Sequence, residues 1–399
     1  MTRAANADSP RAASAKVMKP IDSKLPNVGT TIFTLMSQLA EQHRAVNLSQ
    51  GFPDFSPPAE LCDLVERCMR GRYHQYALMP GSIALRTAIA QKLAALYGVE
   101  ADPVKEITVT SGATEAIFDA IQAIVRRDDE VIVFDPCYDS YEPSITLAGG
   151  RTIHLPLAQP NFTIDWDRLR SALNSRTRLV IVNSPHNPSG ALLTRQDLDR
   201  LAEVLRPYDC YLLSDEVYEH VVFDGARHAT ALAQPELAQR CFAVFSFGKT
   251  YHATGWKLGY CVAPSELSAE LRRVHQYVTF ASTSPLQQAL AEYMAAHPEH
   301  HLELPAFYQE RRDYFSGLLA ATKFRPRRAA GTYFQLADYS AISTLPDVEF
   351  ARWLTVEHGV ATIPVSVFYR EPSEMRLVRF CFAKENATLD AAAERLRRL

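Results

Sequence analysis

From Glu106 to Val262 the chain alternates short β-branched runs with stretches of helical periodicity, and few architectures accommodate that pattern. Ile107–Thr110, Val131–Phe134, Leu179–Asn183, Tyr211–Ser214 and Phe242–Phe245 read as buried strands. Glu115–Arg126 and Arg195–Leu205, lying between them, repeat apolar residues at helical spacing. Strand–helix alternation of this kind predicts an α/β fold with a mostly parallel sheet covered on both faces. After about residue 285 the pattern changes. A long helical stretch, Leu286–Ala321, precedes an extended run at Gly331–Leu336, then a helix, a strand at Leu377–Phe382 and a terminal helix, which reads as a smaller α+β domain. The expected division is a flexible tail over 1–20, a large domain over 49–285, and a small domain made of 21–48 with 286–399. A chain of 399 residues is long enough for two cores.

Composition narrows the partners. A formal net charge of −3 gives no reason to expect nucleic acid or an anionic membrane surface, and no apolar run approaches a membrane span. The first twenty residues lack the apolar block of a secretory signal. Seven cysteines (Cys62, Cys68, Cys137, Cys210, Cys241, Cys261 and Cys381) are scattered without a C-x-x-C pair, which points to reduced thiols and a cytoplasmic location rather than a zinc site or disulfide framework.

In open α/β sheets ligands bind beyond the carboxyl ends of the strands. Four polar clusters fall at such ends. Ser111-Gly-Ala-Thr-Glu115 follows the first strand and opens a helix; its small residues suit either phosphate approach or a plain helix cap. Asn183-Ser-Pro-His-Asn-Pro-Ser-Gly190 is a rigid, sharply turned loop, by itself equally compatible with turn chemistry. Asp215, where an apolar strand ends, needs a cationic or hydrogen-bonding partner unless it caps the next element. Lys249, in Ser246-Phe-Gly-Lys-Thr250, can lose its proton by desolvation and attack a carbonyl. A fifth feature, Arg379, sits inside the apolar run Leu377–Phe382 and calls for a buried anion, either a ligand carboxylate or an internal Asp or Glu.

These residues, in this order and spacing, resemble the class I aminotransferases of pyridoxal-phosphate (PLP) fold type I. The methionine and kynurenine/glutamine branch is the most similar, on Ser49-Gln-Gly-Phe-Pro-Asp-Phe55, Asn183–Gly190, Ser246–Thr250 and Arg379-Phe-Cys-Phe-Ala-Lys384. The resemblance implies a large domain with a mostly parallel seven-stranded sheet and PLP held by Lys249 as a Schiff base. Lys249 would also serve as the catalytic base. Asp215 would keep the pyridine nitrogen protonated, Tyr218 and Asn187 would bond the phenolic oxygen, and Tyr138 would stack on the ring. The phosphate would lie on Ala113, Thr114, Ser246 and Lys257. Tyr76 would reach it from a neighbouring subunit, making a homodimer part of the site. Arg379, helped by Asn187 and the backbone of Gly51, would hold the substrate α-carboxylate.

The implied reaction is ping-pong transamination between an L-amino acid and a 2-oxo acid. Aromatic residues near the motifs (Phe52, Tyr73, Tyr138 and Tyr333) suit an apolar substrate side chain, so methionine and aromatic amino acids are the expected donors. A kynurenine/glutamine-type specificity or a PLP-dependent cysteine-conjugate β-lyase is the alternative. A PLP-binding transcription regulator would need a DNA-reading module ahead of the match, where only about twenty residues stand.

Overall fold

The computed structural model describes residues 21–371 and 375–399, so the expected tail over 1–20 lies outside the described residues. Seven strands form one sheet in the order Ile107–Thr110, Gly259–Val262, Cys241–Ser246, Tyr211–Asp215, Thr177–Asn183, Glu130–Asp135 and Arg151–Pro156. Six run the same way; Gly259–Val262 is antiparallel to both neighbours. Alternate residues of each strand feed opposite faces. Val180, Val182 and Leu212 pack into one core with Leu198, Leu201 and Leu290, whereas Leu179, Ile181, Leu213 and Val244 pack into another with Ile117, Ile121 and Leu271. Burial on both faces is why these strands carry no polar alternation.

The helix Arg195–Leu205 has the expected bounds, set by a capping box in which Thr194 and Asp197 exchange side-chain-to-backbone hydrogen bonds. The long stretch expected over Leu286–Ala321 is instead two helices, Ser284–Ala296 and His300–Ala320. Pro298 causes the break: it lacks an N–H for the helical ladder and pushes His297 to φ −128°, ψ 64°. The first of these helices gives Ala289, Leu290 and Tyr293 to a large-sheet core, so packing on that sheet continues past the expected boundary at 285. The extended run at Gly331 becomes a strand only from Phe334, because Thr332 has φ +62°.

A second, antiparallel sheet runs in the order Ile363–Pro364, Leu377–Cys381, Phe334–Asp338 and Arg325–Arg327. Its core is aromatic: Tyr308, Phe315, Phe334, Phe350 and Phe380 are buried, and Tyr339 stacks on Phe350 with centroids 3.8 Å apart. The helix Ile32–Gln42 packs here through Met36 against Ala351, Ile363 and Phe368. No helix among the described residues is long and apolar enough to cross a membrane.

Sheet register decides where chemistry collects. Asn183 pairs with Asp215, Asp215 with Val244, and Gly259 with both Ser246 and Thr110, so four strand ends share one edge. Gly259 is required there, since an added Cβ would lie 2.6 Å from the Ala113 nitrogen and 2.7 Å from the Phe245 carbonyl oxygen. Backbone atoms cannot move aside as a side-chain tip can. Gly259→Ala is therefore expected to cost about 1–3 kcal/mol of stability by overpacking, measured by denaturant unfolding.

Candidate active site

A cavity of about 240 Å³ opens along that edge, between the two sheets. Eleven expected residues line it: Gly51, Ala113, Thr114, Tyr138, Asn187, Asp215, Tyr218, Ser246, Lys249, Lys257 and Arg379. Tyr76 does not. It is 84% exposed and packs edge-on against Phe280 at 5.3 Å.

Lys249 lies in a one-turn helix, Phe247–Thr250, directly after the strand Cys241–Ser246. Its Nζ donates to the Gly51 carbonyl at 3.2 Å and sits 5.5 Å from both the Tyr218 and Tyr333 ring centroids. Burial, aided by the positive charges of Arg379 and Lys257, brings the amine from its ordinary 10.5 down to about 8. Asp215 is buried, accepts a 2.6 Å hydrogen bond from the Tyr141 hydroxyl, and is pushed up to about 6 by burial. Its bond from the Val217 N–H is long, at 3.4 Å, so capping alone does not account for it. Glu216 points elsewhere, accepting from Ser214 Oγ, the Ala231 N–H and His228.

Arg379 is 1% exposed and has no carboxylate partner among the described residues. Its guanidinium donates to Asn187 Oδ1 at 2.8 Å and to the Ser49 carbonyl at 3.0 Å, lies 3.9 Å from the Phe334 ring centroid, and leaves Nε without a partner. Burial lowers it to about 10. A buried cation that lines a cavity and has no carboxylate partner among the described residues suits an anionic ligand. At Gly51 the carbonyl is taken by Tyr333 Oη at 2.6 Å and by Lys249, which leaves the N–H as the backbone group able to meet a carboxylate.

At the far wall, Gly112 caps the helix Ala113–Ile124 with φ +83° and no side-chain hydrogen bond. The first-turn N–H groups and the helix dipole are therefore available to an anion, with Ser246 and Lys257 on the same wall. The Lys257 Nζ lies 3.2 Å from where a Gly112 Cβ would be. The pieces present fit PLP: an uncapped helix start and a lysine for its phosphate, a buried carboxylate short of a cation for its pyridine nitrogen, and an amine of lowered basicity for its aldehyde.

Sequence reasoning missed Tyr141, Phe33, Gln50 and Phe334, and gave Asn183 no role of its own within the Asn183–Gly190 loop. Tyr141 stands three residues after Tyr138, which could have suggested that both face the same side. Asn183 orients the edge, donating to the Asp215 carbonyl at 2.8 Å and accepting from the Asn187 N–H at 2.8 Å. Phe33 and Gln50 arrive from the N-terminal segment and have no local signature. Of the aromatics expected around the substrate, Tyr138 lines the cavity, whereas Phe52 and Tyr73 are exposed and off its wall. Tyr333 is buried one layer behind, against Tyr218.

A fold with a strand-edge cavity built around such a lysine, aspartate and arginine defines a PLP-dependent transferase of amino groups. The sequence pattern described as aminotransferase class I and II matches residues 43–396, and the chain belongs to that family. It is 54% identical to a methionine aminotransferase of Escherichia coli, over 94% of this chain and 98% of the relative. It is 33% identical to human kynurenine–oxoglutarate transaminase 1, over 90% and 94%. A solved Escherichia coli structure with an identified methionine aminotransferase function superimposes with a TM-score of 0.94 at 53% identity, covering 96% of this chain and all of that one. An N-succinyldiaminopimelate aminotransferase from Mycobacterium tuberculosis gives 0.92 at 38% identity, covering 95% and 100%. The enzyme is a PLP-dependent aminotransferase.

The lowered basicity of Lys249 has a direct readout. In cofactor-free protein the reactive neutral amine accumulates as pH rises through about 8, so the rate of aldehyde capture at Lys249 should reach half its plateau there. An ordinary lysine would still be climbing near pH 10. Peptide mapping after borohydride trapping across a pH series measures it.

Proposed function

We propose that the enzyme takes methionine, and aromatic amino acids, as amino donors and passes the nitrogen to a 2-oxo acid. The observation that carries this reading is the wall beside Arg379. Phe33 and Phe334 flank the guanidinium, with ring centroids 5.2 and 3.9 Å away, and Phe368 closes behind at 5.6 Å. The cations lining the cavity among the described residues are Lys249, Lys257 and Arg379. Amine chemistry, phosphate and α-carboxylate engage all three. A side-chain carboxylate would then meet aromatic carbon, whereas a thioether or aromatic ring is at home there.

Bound PLP supplies an electron sink for charge developing at the substrate's α-carbon. In the proposed roles, Arg379 fixes the α-carboxylate through two donors and so aims the α-hydrogen at Lys249 Nζ, which takes it up as a neutral amine and returns it later. Asp215, oriented by Tyr141 and Asn183, holds a proton on the pyridine nitrogen. Tyr218 and Asn187 serve the phenolic oxygen, Tyr138 covers the ring, and Ala113, Thr114, Ser246 and Lys257 bind the phosphate. The large sheet with the cores on its two faces and the small sheet with its aromatic core correspond to two domains that meet at the cavity.

A homodimer belongs to the same reading. Tyr76 stands on a surface with Tyr73, Leu78, Tyr277, Val278 and Phe280, all exposed. Apolar surface of that kind suits coverage by a second copy, which would bring Tyr76 to the neighbour's phosphate. Six of the seven cysteines are buried and all are free, in keeping with a cytoplasmic enzyme.

The deciding experiment adds L-methionine to the PLP-loaded enzyme without an acceptor. The visible band should convert to the pyridoxamine form with one equivalent of the oxo acid per site, and Lys249→Ala should be folded but inert. With a cysteine S-conjugate in place of methionine, a persisting band with continuous release of thiol, pyruvate and ammonia would establish β-elimination instead. Arg379→Ala is expected to lower kcat/KM about 10- to 100-fold for every amino-acid donor, the loss of charge-assisted hydrogen bonds to a shared carboxylate. A loss confined to one donor would make Arg379 a side-chain selector.

A further inference from the structure

The proposed reaction leaves unused a fully buried cluster behind the phosphate turn. His275, in the last turn of the helix Ser265–Val278, is 0% exposed. Its Nδ1 lies 2.9 Å from Glu115 Oε1 and 3.6 Å from Asp119 Oδ2, and its Nε2 lies 3.0 Å from the Met79 carbonyl oxygen. The Met79 carbonyl can only accept, and Glu115, held below the ordinary carboxylate range by His275 and the Ser111 N–H, accepts as well, so both ring nitrogens donate and the imidazole is a cation. Burial opposes that charge, but the Glu115 hydrogen bond and the negative charges of Glu115 and Asp119 outweigh it and raise the group to about 9.

Each end of this bridge reaches toward cofactor chemistry. The other oxygen of Glu115 accepts the Ser111 N–H, and Ser111 begins the turn that runs through Gly112 into the uncapped helix start at Ala113. Ser111 Oγ is also 3.3 Å from Ser282 Oγ. Met79 belongs to the loop that carries Tyr76, otherwise tied down by Ser284 Oγ donating to the Gln75 carbonyl at 2.6 Å and by the Ser82 N–H donating to Gln287 Oε1 at 2.7 Å. Neither His275, Glu115 nor Asp119 lines the cavity. The cluster can act only through what it holds.

We propose that His275 is a positioning residue that locks the Ser111–Thr114 turn, through Glu115, against the Met79 loop, and so sets the geometry in which the helix start receives the cofactor's phosphate. This rests on the reading of that turn as the phosphate site. Without the imidazolium, Glu115 loses the charge that holds its carboxylate in place, and the Ser111 N–H loses a fixed acceptor. The helix start can then shift relative to Lys257 and Ser246 while Lys249, Asp215 and Arg379 stay where they are. The consequence is selective: affinity should fall for a ligand that carries the phosphate and not for one that lacks it.

The test compares PLP with pyridoxal, which has the same ring and aldehyde but no phosphate, by absorption titration of the cofactor-free enzyme. His275→Gln, and independently Glu115→Gln, which preserves side-chain size, should weaken PLP about tenfold or more while leaving pyridoxal unchanged, as expected for loss of a charge-assisted hydrogen bond. Equal weakening of both ligands, which general destabilisation would produce, overturns the proposal, as does no change in either. If His275→Gln does not fold, Glu115→Gln decides by the same criterion. Failure of the underlying reading looks different: the unsubstituted enzyme would itself bind PLP no better than pyridoxal, and Lys257→Ala would leave that ratio alone.

Discussion

The burial of Arg379 constrains the rest of the site. A guanidinium taken out of water must find acceptors, and among the described residues it finds two neutral ones, Asn187 Oδ1 and the Ser49 carbonyl. Those partners come from the loop after a large-sheet strand and from the segment leading out of the N-terminal helix, whereas Arg379 belongs to the small sheet. One cation thus ties three distant stretches of chain together, and Phe334 stacks on its face rather than neutralising it. A carboxylate from the protein would have made a better-satisfied core. Its absence among the described residues leaves the charge for a ligand to satisfy.

The same logic runs along the sheet edge. Asp215 and Lys249 are both removed from water and both shifted toward their neutral forms, one to about 6 and the other to about 8. Burial separates each from its ordinary value, while Tyr141 opposes the shift at Asp215. A cofactor with a basic ring nitrogen and an aldehyde meets each group's need at once. The helix start at Ala113 follows a different rule, since backbone N–H groups and the helix dipole attract an anion. The His275–Glu115 bridge matters there because a backbone site is only as exact as the turn that forms it.

Much of this was legible in the chain. The five strands read from Ile107 to Phe245 all exist, because burial on both faces leaves uninterrupted β-branched runs. Two strands of the sheet carry weaker patterns. Arg151–Pro156 is an edge strand with only Leu155 buried, so its residues Arg, Thr and His mask the run. Gly259–Val262 spans four residues and starts with a glycine demanded by Ala113 and Phe245, not by strand propensity. At the site, motif residues were visible where local sequence carries chemistry, as in Ser246–Thr250 and Asn183–Gly190. Tyr141, Phe33, Gln50 and His275 were not, since each acts through a partner 74 or more residues away or through a wall assembled from several segments.

The sequence by itself determined the class of fold, the family, and the identity of the lysine, aspartate and arginine that line the cavity. Those depend on local periodicity and on residue types whose burial is expensive, and both are written in the order of the chain. Tertiary structure alone decided that Arg379 has no carboxylate partner among the described residues, that Tyr141 holds Asp215, that Tyr76 stands off this chain's own cavity, and that His275 bridges two loops. Hydrogen bonds and desolvation are short-ranged, so they become defined only when packing brings distant residues within about 3 Å of one another.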